Sequence, residues 1–126
     1  MKRSIIALAT VAFTALAVVP ASAQTFLGAR IVADNTETDV INVPGNGLFR
    51  SVQFCVANRA VHFTDVDVRF ANGGSQDLPV RALIGPGGCT NWLDLRGPVR
   101  NIDQIILRYD TLINAGSQAI VVARGR

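Results

Sequence analysis

Apolar and polar residues alternate along most of the chain beyond residue 25. The cleanest case is Val66, Val68 and Phe70, then Asn72-Gly73-Gly74-Ser75, then Leu78, Val80, Ala82 and Ile84. Period two on both sides of a glycine-rich turn predicts a β-hairpin. Pairing Phe70 with Leu78 sets Val68 opposite Val80 and Val66 opposite Ala82, with Gly73-Gly74-Ser75 as a three-residue loop. On the other face Asp67 then meets Arg81, and Arg69 meets Pro79. Pro79 has no N–H to give a ladder, so this strand is expected at an edge or with a bulge.

A second pattern is an internal echo. Thr38 to Val56 reads TDVINVPGNGLFRSVQFCV, and Asn91 to Tyr109 reads NWLDLRGPVRNIDQIILRY. Ile41-x-Val43 answers Leu93-x-Leu95, and Gly47-x-x-Arg50-x-Val52 answers Gly97-x-x-Arg100-x-Ile102. Each half is a strand, a glycine turn, an arginine and a further strand, which predicts two related hairpins. Arg50 and Arg100 hold equivalent places, and both are read as structural, bonding loop carbonyls or a turn aspartate.

Further alternating stretches are Phe26 to Ala33, Asp39 to Val43, Leu48 to Val56, Val61 to Phe63, Cys89 to Leu95, Ile102 to Tyr109 and Gln118 to Ala123. They are separated by a polar loop over residues 34–38, the turns Pro44-Gly45-Asn46-Gly47 and Gly85-Pro86-Gly87-Gly88, and a loop around Asn114-Ala115-Gly116. No stretch after residue 23 shows a capped helical period. The expected fold is all-β, a single antiparallel sandwich of eight or nine short strands resembling a jelly roll.

The first 23 residues follow a different logic. Lys2 and Arg3 precede an apolar run from Ile5 to Val19, and Ala21-Ser22-Ala23 offers a small-residue cleavage site. This is the pattern of a secretory signal peptide over 1–23, leaving a domain over 24–126. The run ends at Pro20 after about 15 residues, short of the roughly 20 of a membrane span. Removing it takes away the only lysine, and the remaining ten arginines face nine acidic residues, a net charge of +1. The arginines are scattered, so nucleic acid is not an expected partner. Neither is stable membrane insertion after cleavage.

An exported chain meets an oxidising compartment, and its two cysteines, Cys55 and Cys89, are expected to form a disulfide. Two cysteines and one distant histidine make no zinc cluster. His62 lies inside an alternating strand, and Ser51, Ser75 and Ser117 carry no signature of an activated nucleophile. No catalytic residue, metal site or cofactor is therefore expected, and the protein is read as not an enzyme. Asp65 and Asp67 share a strand face, where Arg81 is the expected neighbour of Asp67. The oxygens of Asp34, Asn35, Glu37 and Asp39 lack the spacing of a calcium loop. Trp92, the only tryptophan, faces away from Leu93 and Leu95, on the same side as Asp94 and Arg96. These three are the candidate ligand-binding residues, a ring for stacking with polar groups at its rim.

Several short pieces match one family. They are Phe26-Leu27-Gly28-Ala29, the polar Asn35 to Asp39 loop, Val66-x-Val68-x-Phe70, Gln76-x-Leu78, Asn91-Trp92-Leu93-x-Leu95 and Arg100 to Leu107. In these the chain resembles a family of small periplasmic bacterial proteins of unknown function. The resemblance implies fold and compartment only. The functional expectation is a non-enzymatic protein, periplasmic or secreted, that binds or scaffolds an envelope protein or a glycan. A carbohydrate-binding module and a small secreted hydrolase are the alternatives.

Overall fold

The computed structural model describes residues 24–32, 38–43, 47–111 and 118–126. The signal-peptide expectation over 1–23, most of the polar loop, the Pro44-Gly45-Asn46 turn and the Asn114-Ala115-Gly116 loop lie outside these residues.

Nine strands form among the described residues: β1 (Thr25–Val32), β2 (Thr38–Asn42), β3 (Ser51–Ala57), β4 (Val61–Phe70), β5 (Ser75–Leu78), β6 (Ala82–Ile84), β7 (Leu93–Asp94), β8 (Ile102–Thr111) and β9 (Ala119–Gly125). They make two antiparallel sheets, one in the order β1-β9-β3-β7 and the other β2-β8-β4-β5, with β6 continuing β5 along the β4 edge. The pairs β1·β9, β2·β8, β3·β7 and β4 with β5 and β6 are those of one long hairpin rolled up on itself. This is a jelly roll, as the alternation suggests.

Between the sheets lie Val52, Phe54, Val56, Val121 and Ala123 from the four-stranded sheet. Val61, Phe63, Val66, Val68, Ile105, Leu107 and Tyr109 face them from the five-stranded one. The Phe54 and Phe63 rings meet across the middle at 6.4 Å between centroids. Gly125 lets the chain lie against the Phe49 ring, where a Cβ would come within 2.7 Å of it.

The two predicted hairpins are not hairpins. β2 and β3 belong to different sheets, as do β7 and β8. Each echo is an arch that carries the chain across the sandwich, and the arches interlock. β2 pairs with β8 and β3 with β7, while Phe49 and Arg100 exchange backbone hydrogen bonds of 2.8 Å in both directions. Sequence repetition is thus expressed as reciprocal pairing, the first strand of each echo with the second strand of the other. A hairpin and an arch share the same local pattern, because both require alternate residues to face one core.

The β4–β5 hairpin exists, but its register differs from the expected one. Val66 faces Leu78, Asp67 faces Asp77 and Arg69 faces Ser75. The three-residue loop is Ala71-Asn72-Gly73 rather than Gly73-Gly74-Ser75, closed by bonds from Phe70 N to Gly74 O and from Gly73 N to Phe70 O. It needs Gly73 at φ +95°, which L residues rarely adopt. Further along, two residues of β4 (Thr64, Asp65) face three of the opposite chain (Pro79, Val80, Arg81) before Phe63 meets Ala82. Pro79 therefore sits in a bulge on an edge strand, as its missing N–H requires.

Candidate functional site

The outward faces of the two sheets differ in kind. On the five-stranded sheet the cross-strand rows are Asn42–Gln104–Arg69–Ser75, Val40–Ile106–Asp67–Asp77 and Thr38–Arg108–Asp65. This is the polar, solvated face usual for an antiparallel sheet. On the four-stranded sheet one row is Ala29–Val122–Cys55–Cys89, and the next is Ile31–Ile120–Ala57. A third row runs Phe26–Arg124–Gln53, and Trp92 lies just before β7, whose Leu93 pairs with Val52. Phe26 is 65% exposed and Ile31 56%. This outer face is therefore mainly aliphatic, with Arg124 in one row and Arg126 over the Trp92 ring as its cations.

The Cys55–Cys89 disulfide forms as expected and lies on this face. It fastens the irregular segment 87–92 to β3, flanked by bonds from Val56 N to Gly88 O and Thr90 N to Phe54 O. Thr90 helps, its hydroxyl accepting from Phe54 N and donating to Asn91 O.

Trp92 is half-buried, and the Arg126 guanidinium stacks over its ring at 4.3 Å. Arg126 Nε also donates to Ser51 Oγ at 3.3 Å. Asp94 and Arg96 are exposed, on the side opposite the buried Leu95, as their parity predicts. They are tied to β5. Gln76 Nε2 donates to Asp94 O, Arg96 N donates to Gln76 Oε1, and the Arg96 guanidinium reaches Ser75 O at 3.1 Å. Arg96 thus joins the edges of the two sheets, while Trp92 and Asp94 stay on the outer surface.

Arg50 and Arg100 do not share a role. The Arg100 guanidinium stacks 3.6 Å above the Phe70 ring and donates to Arg96 O at 3.0 Å. Arg50 is exposed, and its backbone does the structural work, its N–H donating to Arg126 O and its carbonyl accepting from Leu95 N.

The expected Asp67–Arg81 pair does not form, because the register shift puts Asp77 there. Arg108 from β8 supplies the counter-charge, bonding both Asp67 and Asp65. A hydrogen bond with Asp65 raises the Asp77 carboxyl above its ordinary range, and that bond, with Arg108, lowers Asp65. Oxygens of the three aspartates lie within 4.8 Å of one another, with a guanidinium already bound among them. His62 stands 3.6 Å from Asp110 on the same outer face.

Sequence reasoning missed the Asp39 carboxylate. It is buried at one side of the sandwich, accepting from Tyr109 Oη at 2.6 Å and from Arg30 Nε at 3.2 Å. Burial, then the bond to Asp39, pushes the Tyr109 phenol far above its ordinary range, so it stays protonated and donates. Arg30 comes from β1 and Asp39 from β2, so the trio ties the two sheets together. Its sequence signal is a tyrosine on the inward parity of β8.

A cleft opens at the opposite edges of the two sheets from this trio. It has a volume of about 280 Å³ and lies between the Pro79–Arg81 bulge with β6 on one wall and residues 89–93 on the other.

The fold and its surfaces define a small jelly-roll sandwich with one polar and one apolar outer face. The chain belongs to the family described as a domain of unknown function, DUF2541, whose model matches residues 4–125. Neither a curated protein nor a solved structure matches it.

Proposed function

We propose that this chain is a non-enzymatic exported protein of the bacterial envelope that works by binding, with the outer face of the four-stranded sheet as its docking surface for an envelope protein. The observation that carries the reading is the pair of aliphatic rows, Ala29–Val122–Cys55–Cys89 and Ile31–Ile120–Ala57. Transfer of such a surface from water is favourable at about 25 cal/mol per Å². The disulfide is in keeping with an oxidising compartment. Among the described residues no helix is long and apolar enough to cross a membrane.

A glycan is the second reading, favoured by Trp92 standing on this face with Asp94 nearby. Aliphatic neighbours suit a protein surface better than sugar hydroxyls, and Arg126 already covers one side of the ring. The test is photo-crosslinking in intact cells, with the reactive side chain at Val122 or, as a control, at Gln104 on the polar face. Adducts at 122 and none at 104 support protein docking. Equal yields, or none at either site, sink it. A shift of Trp92 emission with cell-wall fragments and no protein adduct would replace it by the glycan reading.

A further inference from the structure

The cleft between the sheet edges adjoins the docking face at Cys89 but opens between different elements, and its chemistry is graded from mouth to floor. Its floor includes Ile84 and Leu93, both packed against the core, and the buried Val80. Its exposed rim carries Arg81 and Asn91. No acidic side chain lines it. Arg81 enters none of the ion pairs formed among the described residues. Asp67, the acid that alternation would have given it, is held by Arg108 instead.

Both walls are fixed before anything binds. β6 is held by its pairing with β4 from Val61 to Phe63. The opposite wall is fastened to β3 through Cys89 and Thr90. At the bulge Arg81 leaves the ladder and is exposed, while Val80 turns inward. A preformed cleft with a few polar groups over an apolar floor is the usual form of a small-molecule site. At about 280 Å³ it falls just below the usual range of small-molecule pockets, the size of a short-chain acid.

We propose that this cleft binds a small monocarboxylate with a short apolar chain, its carboxylate on Arg81 and Asn91 and its chain against Ile84 and Leu93. A single guanidinium matches one carboxylate through paired N–H donors, and an apolar floor disfavours a polyanion or a free inorganic ion.

The probes are hexanoate and 1-hexanol, titrated into the isotope-labelled protein over residues 24–126 and read by amide chemical shifts. Hexanoate should move Ala82, Ile84 and Leu93, bind at least fivefold more tightly than hexanol, and lose that advantage in Arg81→Gln. Comparing the two probes on the unaltered chain carries the test if the variant folds poorly. Equal affinity for the two probes would overturn the proposal. So would an absence of shifts at tens of millimolar, shifts centred on Ile120 and Val122, or hexanoate binding that survives Arg81→Gln unchanged.

Discussion

Tyr109→Phe removes one buried oxygen from the side of the sandwich where Asp39 lies, and nothing else. Tyr109 is 1% exposed and Asp39 9%, so no bulk water stands ready to replace the lost donor. Asp39 would keep Arg30 on one oxygen and lose the 2.6 Å bond on the other. A hydrogen bond to a charged group contributes about 1.5–3 kcal/mol, and a buried acceptor left bare costs a similar amount. About 2 kcal/mol is therefore expected, which for a domain of this size lowers the midpoint by roughly 10 °C. Arg30→Ala should cost less, about 1 kcal/mol at most, because Arg30 is 53% exposed and its attraction is screened. Urea melts at pH 7 on the two single variants give the ranking. Adding Asp39→Leu to Tyr109→Phe should recover part of the loss, since it removes the bare carboxylate as well. The raised phenol adds a pH signature. Its stabilisation is complete below the unfolded tyrosine pKa of about 10 and falls as the pH rises beyond it, a loss that Tyr109→Phe should not share. A Tyr109→Phe melt within about 0.5 kcal/mol of the parent would refute the reasoning.

Reducing the Cys55–Cys89 bond, which spans 34 positions, should cost about 3.8 kcal/mol on the chain-entropy model, read as a lower urea midpoint in dithiothreitol. Arg100→Ala should lose about 1–2 kcal/mol through the Phe70 stack and the loop carbonyl, whereas Arg50→Ala should stay within about 0.5 kcal/mol. Thermal melts separate the two arginines. Gly125→Ala should cost about 1–3 kcal/mol by driving a Cβ into Phe49, also read by melting. Asp77→Asn should raise the melting temperature at pH 7, because the folded state holds that carboxyl's pKa up and pays for its charge above it. The gain should shrink as the pH falls through the carboxylate range, where the parent's Asp77 is itself protonated.

The parity of nearly every strand was legible because a sheet sorts its side chains with period two. Register was not. Pairing Phe70 with Leu78 and pairing Val66 with Leu78 both keep the apolar residues on one face, since the two alignments differ by an even step. The choice falls to the tight turn at Gly73 and to the Pro79–Arg81 bulge, and neither shows in alternation. For the same reason period two cannot tell a hairpin from an arch, so the echo was visible and its meaning was not. The disulfide was readable because two cysteines have one possible partner each. Arg50 and Arg100 looked alike because their spacing is alike. Their surroundings differ, with a Phe70 ring under one and water around the other.

The apolar outer face escaped because its members come from strands scattered along the chain, β1, β3 and β9. A trace of it was nevertheless present. Ile120 to Ala123 is an unbroken apolar run, and Ile31-Val32 is another, whereas a strand with one wet face should alternate. Such a run states that both sides of the strand prefer to be dry. The inner side is dried by Val121 and Ala123 in the core, and among the described residues no further layer packs on the outer side. The five-stranded sheet supplies the contrast, for there the outward Ile106 is nearly buried in a row with Asp67 and Asp77, beside Arg108. One sheet therefore shields Ile106 beneath charged neighbours and exposes Leu83 only beside His62 at its edge, while the other leaves Ile31 exposed and Ile120 half-buried in an aliphatic row. Had solubility alone shaped both faces, Ile120 and Val122 would be free to be polar without disturbing any core contact. Replacing both by threonine should accordingly leave the melting temperature of the isolated protein nearly unchanged while abolishing adducts from a crosslinker at position 57. A large loss of stability in that double variant would show instead that the face is already covered by the protein itself.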